Sequence, residues 1–129
     1  MKKVVVTGAN KGIGLAIVKR LLKEYSDVFI YLGSRDVGRG NEAILEIVSD
    51  LGQSAKDRVQ VLQLHVTSDD SVRKAVEVVK SNISNNKLYG LVNNAGGGGS
   101  HRQCVELNMY GVRRVTEAFL PLIQEKGMR

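Results

Sequence analysis

The stretch Val4-Val5-Val6-Thr7-Gly8-Ala9-Asn10-Lys11-Gly12-Ile13-Gly14-Leu15-Ala16 constrains this chain more than any other. A short apolar run bounded by a glycine suits a strand buried on both faces. Gly8, Gly12 and Gly14 follow at the spacing G-x-x-x-G-x-G, and an apolar helical pattern begins at once. A glycine turn from a strand into a helix does three things. Gly8 turns the chain off the strand, Gly12 leaves room for a pyrophosphate against the backbone, and Gly14 lets the helix pack closely. The helix start then presents free N–H groups and its positive dipole end to an anion. The bland alternative is a tight turn with no ligand, for which one glycine would serve.

The rest of the chain repeats the alternation. A helix is expected from about Ile13 to Tyr25, with Ile13, Ala16, Ile17 and Leu21 on its inner face. A second buried strand follows at Val28–Ser34, and a helix near Asn41–Leu51. Val59–Val66 reads as strand three. Thr67-Ser68-Asp69-Asp70 offers a helix cap, and Val72, Ala75, Val76, Val79 and Ile83 share one face of the next helix. Leu88–Val92 reads as a short strand four, and a last helix is expected from Gln103 to Lys126, with Gly127-Met128-Arg129 as its cap. Asn108 falls on that helix's apolar stripe, where a buried amide would need partners. The order βαβαβαβα predicts one α/β domain over residues 1–129: a Rossmann-type, doubly wound parallel sheet in the order 3-2-1-4. With strand four outermost, its free apolar edge would favour self-association.

Strand two runs into Gly33-Ser34-Arg35-Asp36-Val37-Gly38-Arg39-Gly40. In a dinucleotide fold the adenosine ribose lies at this strand end. An acid there suits a 2′-hydroxyl and an arginine suits a 2′-phosphate. Arg35 and Arg39 favour the phosphate through charge-assisted contacts; Asp36 turned inward would favour NAD instead. Lysine and arginine number 19 against 13 acids, a net charge of +6, but no basic run exceeds two residues. That argues against a dedicated nucleic-acid surface and favours small anionic ligands such as phosphates. The single cysteine, Cys104, and the lack of a signal or membrane-spanning segment lead to the expectation of a cytoplasmic protein. No metal site is expected.

By Asn93-Asn94-Ala95-Gly96 the chain resembles the short-chain dehydrogenase/reductases, and among them the NADPH-dependent carbonyl reductases. Thr7–Gly14 resembles their cofactor loop, Arg35–Gly40 their R-D-x-x-R-G segment, and Leu107–Gly111 their N-x-x-G helix segment. The resemblance implies NADP(H) as cofactor and small carbonyl compounds as substrates. It implies cofactor contacts from Gly8, Asn10, Lys11, Gly12, Ile13, Gly14, Arg35 and Arg39, then from His65 and Val66 beside the adenine, and from Asn93, Ala95 and Gly96. Asn108 matches the asparagine of the family's proton relay.

The chain departs from the pattern in four places. His65 stands where the family has an aspartate on the adenine amine; a neutral imidazole can accept that hydrogen bond and a charged one cannot. The segment from Gly96 to Asn108 is short and begins Gly96-Gly97-Gly98-Gly99-Ser100, the composition of a flexible linker. The strand bearing the family's serine is expected to lie past Arg129. The tyrosine–lysine pair is not among these residues: four positions after Tyr25, Tyr31, Tyr89 and Tyr110 stand Phe29, Arg35, Asn93 and Arg114. Two readings of function stand: a carbonyl reductase represented by its cofactor-binding half, or a non-catalytic dinucleotide-binding or interaction module.

Overall fold

The computed structural model describes residues 1–83, 87–96 and 100–128, with the backbone alone over 124–128. Gly97–Gly99 of the linker-like run, and Arg129 of the expected helix cap, therefore lie outside the described residues. The elements are β1 (Lys2–Val6), α1 (Gly12–Glu24), β2 (Val28–Ser34), α2 (Val37–Leu51), β3 (Val59–Gln63), α3 (Asp69–Asn82), β4 (Leu88–Val92), α4 (His101–Val105), α5 (Val112–Phe119) and β5 (Ile123–Met128). A 3-10 helix, Gln53–Arg58, precedes β3, and a π-helical turn, Glu106–Gly111, joins α4 to α5. The sheet is parallel in the order β3-β2-β1-β4-β5.

Strand alternation divides the core in two. Val4, Val6, Ile30 and Leu32 face one side, where Leu15, Val18 and Leu22 of α1 and Ala43 and Ile47 of α2 cover them. Val5 and Tyr31 face the other side, with Val72, Ala75 and Val79 of α3 and Val115 and Phe119 of α5. Central strands of a doubly wound sheet are apolar throughout for this reason. Arg58 locks one edge: its guanidinium donates to the carbonyls of Leu22 at 2.7 Å and Tyr25 at 2.8 Å, satisfying the open end of α1.

Four expectations need correction. The inner face of α1 is Gly14, Leu15, Val18 and Leu22; Ala16 is exposed and Ile13 is 76% exposed, because the turn at Gly12 sets the helix phase. β3 leaves the ladder at Gln63, although Leu64 and Val66 stay buried as the chain turns toward the Ser68 cap of α3. The last helix is not continuous to Lys126. A π-helical turn interrupts it, it ends at Phe119, and Pro121 sits in a short 3-10 turn before β5. The edge of β4 is therefore not bare: β5 pairs with it in parallel, Leu88 opposite Ile123 and Gly90 opposite Met128, with an irregularity between. This removes the reason given for self-association through β4.

Tyr31 is 1% exposed beneath α3. Burial pushes its phenol above the ordinary value, and a hydrogen bond with Asn82 pulls partly the other way. A raised folded-state pKa contributes stability that is full below the unfolded value, about 10, and is lost as pH rises above it. Urea unfolding from pH 8 to 11 should therefore show a steeper alkaline loss for the wild type than for Tyr31→Phe. Parallel pH profiles would refute this.

Candidate functional site

The C-terminal ends of β1, β2 and β4 meet where the sheet order reverses, and one residue holds the junction. Thr7, 1% exposed, accepts at Oγ1 from the backbone N–H of Asn94 at 3.0 Å and of Ala95 at 2.9 Å. The Asn94 side-chain amide donates to Gly8 O at 3.0 Å, and Ala9 N–H donates to Gly33 O at 2.8 Å. The turn after β1 is thus pinned to both neighbouring strands.

Gly8 and Gly12 have φ of 57° and 60°, where a β-carbon is strained. At Gly8 a β-carbon would also come within 2.7 Å of Ala95 Cα, whereas at Gly12 it would meet nothing within 4 Å. The space above Gly12 is open, as close approach of a ligand to the backbone requires. Gly14 packs inward, but on Gly8, Ala9 and Asn94 rather than on a strand. The start of α1 has no side-chain cap and no acid in its first turn, so its N–H groups face the cleft without a competing carboxylate.

A cleft of about 390 Å³ opens over this turn. Gly8, Asn10, Lys11 and Gly12 form its floor, and Arg35 and Arg39 stand on one side. His65 and Val66 form the far wall, and Ala95 and Gly96 close the near one. Asp36 also lines the cleft, but its carboxylate caps α2 by accepting from Arg39 N–H at 3.0 Å. Its Oδ1 is held by the helix start, so at the end of β2 two guanidiniums stand against one carboxylate that is half engaged.

The other expected site residues are not part of the cleft lining. Ile13 points to solvent and Gly14 sits behind the turn. Asn93 is turned away, donating to Thr116 Oγ1 on α5 at 3.0 Å. Asn108 is exposed rather than buried, because it lies in the π-helical turn and not on an unbroken apolar stripe. Its Oδ1 stands 2.8 Å from where a β-carbon on Gly96 would be, which places it at the mouth of the cleft. Sequence reasoning passed over Thr7, Ser34, Leu64, Asn94 and Leu107; the last four line the cleft. Thr7 and Asn94 lie inside the Thr7–Gly14 and Asn93–Gly96 motifs, and the signal that marks them is a polar side chain at a strand end that must find a hydrogen-bond partner.

A larger groove, about 580 Å³, runs between α3 and α5 on the other face of the sheet. Most of its cations are paired: Arg114 with Asp69 and Glu106, Arg113 with Glu117, and Arg73 with Asp70. Arg114 also donates to Val66 O at 2.8 Å, tying α5 to the loop behind His65.

A reversal of strand order, a glycine turn and an uncapped helix start beneath a basic cleft define a nucleotide-binding α/β protein of the doubly wound class. Residues 2–128 match the short chain dehydrogenase family, and the chain belongs to it. It is 34% identical to D-beta-hydroxybutyrate dehydrogenase, mitochondrial, of Bos taurus, over 95% of this chain and 38% of that protein. It superposes on menthone neomenthol reductase from Mentha piperita with a TM-score of 0.85 at 31% identity, covering 97% of this chain and 57% of that one. Against NADPH-bound carbonyl reductase from chicken fatty liver the TM-score is 0.78 at 26% identity, with 95% and 48% covered. The chain thus spans half or less of the length of the curated relatives it matches. Among the described residues no helix is long and apolar enough to cross a membrane.

Proposed function

We propose that this chain is the NADP(H)-binding half of a carbonyl-reducing short-chain dehydrogenase/reductase. The observation that carries the reading is that Arg35 and Arg39 both line the cleft at the end of β2, where the one acid, Asp36, is held to the start of α2 through its Oδ1. In this reading the α1 N-terminus, Lys11 and the open backbone at Gly12 take the pyrophosphate, and Asn10 with the two arginines takes the 2′-phosphate. Thr7 and the Asn94 side-chain amide hold the turn in shape. When bound, the nicotinamide supplies hydride to a carbonyl carbon; the protein's part is to place the ring and deliver a proton. Asn108 stands at the relay position, but an amide gives up no proton at neutral pH. Within these 129 residues the family's serine, tyrosine and lysine have no match. The 129-residue chain is therefore proposed to bind cofactor without appreciable turnover, which is where the non-catalytic reading and this one meet.

Calorimetric titration at low salt tests cofactor choice. NADPH should bind at least about tenfold more tightly than NADH, the effect of one to two charge-assisted hydrogen bonds. Arg35→Ala should remove most of that difference. Equal affinity for the two cofactors in the wild type would return the advantage to Asp36 and to NAD.

A further inference from the structure

The two sides of the cleft are chemically different. With a pyrophosphate at the start of α1 and a phosphorylated ribose between Arg35 and Arg39, the purine on that ribose falls toward the next strand out, at the end of β3. Two of the side chains there are apolar and nearly buried, Leu64 at 3% and Val66 at 6% exposed. His65 lies between them and lines the cleft. Its backbone is fixed on both sides: the N–H donates to Ser71 Oγ at 2.9 Å, and the carbonyl accepts from Ser68 N–H at 3.0 Å. Its ring Nε2 lies 2.8 Å from Thr67 Oγ1. Among the described residues the ring's Nδ1 has no hydrogen-bond partner.

A hydroxyl both donates and accepts, and a neutral imidazole carries one proton on either nitrogen. The His65–Thr67 pair therefore keeps its hydrogen bond in two states. With the proton on Nε2, the ring donates to Thr67 and Nδ1 is an acceptor, which suits a 6-amino purine. With Thr67 donating to Nε2, the proton is on Nδ1 and the ring offers a donor, which suits a 6-oxo purine. Neither state leaves a polar group of this half-buried pair unpaired, so neither base is penalised. We propose that His65, partnered by Thr67, is the specificity-determining residue for the purine, and that it makes the site accept 6-amino and 6-oxo purine dinucleotides alike. The inference rests on the cofactor reading above.

The test compares NADPH with its deaminated, hypoxanthine-containing analogue by calorimetric titration of the 129-residue chain. The wild type should bind the two within about threefold of each other, since each base finds a matching hydrogen bond. His65→Asp, whose carboxylate only accepts, should favour NADPH over the analogue by about tenfold. Arg35→Ala should weaken both and leave their ratio unchanged. A wild-type preference of about tenfold or more for either base overturns the proposal without recourse to any variant. So does an unaltered ratio in a His65→Asp protein that still binds NADPH. If neither dinucleotide binds the wild type, the cofactor reading itself fails, and this inference with it.

Discussion

The 129-residue chain mixed with NADPH and a reactive quinone or isatin should consume NADPH no faster than the uncatalysed control. Hydride addition to a carbonyl leaves an alkoxide that must gain a proton in the transition state. A positioned acid contributes roughly 10²–10⁴-fold to such a step. None of the four tyrosines, Tyr25, Tyr31, Tyr89 and Tyr110, lines the cleft. Tyr31 is buried under α3, on the opposite face of the sheet from α1 and α2. Tyr110 borders the groove between α3 and α5, not the cleft. Asn108 stands at the cleft mouth but offers only an amide. Placement of the reacting ring also matters, since misplacement by about 1 Å can cost about 10²-fold. NADPH absorbance is the measurement, with Asn108→Ala as the control. Turnover of about one per second or faster, abolished by that substitution, would show that another group here serves as the acid.

The second large effect is structural. Gly14→Ala should cost about 3 kcal/mol, in the range of severe backbone and packing conflicts. The added β-carbon would sit 2.5 Å from Gly8 O and nearer still to the Asn94 amide nitrogen, and 2.9 Å from Ala9 Cα. Two of these are backbone atoms in a turn already pinned by Thr7, so they have little room to yield. The Asn94–Gly8 hydrogen bond would break, and the cleft floor would shift with it. A thermal melt followed by circular dichroism should show a midpoint lower by about 10 °C or more for a domain of this size. NADPH binding should weaken in the same variant below its melting temperature. A midpoint within about 2 °C of wild type would mean that the turn relaxes more easily than its hydrogen bonds imply.

Much of the fold and part of the cleft could be read locally. β1, β2 and β4 are short apolar runs next to turn residues; β2 and β4 span those runs in the structure, and β1 starts two lysines earlier, at Lys2. The Ser68 cap of α3 was visible as a serine before two acids, and the hydroxyl does accept from Ser71 N–H. The glycines at 8 and 12 announced a special backbone, and both have positive φ. Arg35 and Arg39 were placed by being the first bases after a strand whose end had to face the ligand. The role of Asp36 was not readable in the same way. A carboxylate beside an arginine could bind a ribose or cap a helix, and only the start of α2 at Val37 decided for the cap.

The sequence by itself determined the alternation of strands and helices, the parallel order 3-2-1-4, the glycine turn and the basic cleft. Those follow from features within a few residues of one another: apolar periodicity, glycines without a β-carbon, and charges adjacent to a strand end. Only the tertiary structure decided which face of α1 is buried, that the last helix breaks at a π-helical turn and gives way to β5, and that Asn108 is exposed. It alone revealed Thr7 as the hub, because its partners Asn94 and Ala95 are 87 and 88 residues away along the chain. The physical reason is the same in each case. A residue's periodicity is a local property, but the partner of a buried hydroxyl, the phase of a helix against a sheet and the strand that covers an edge depend on which distant segment packs there.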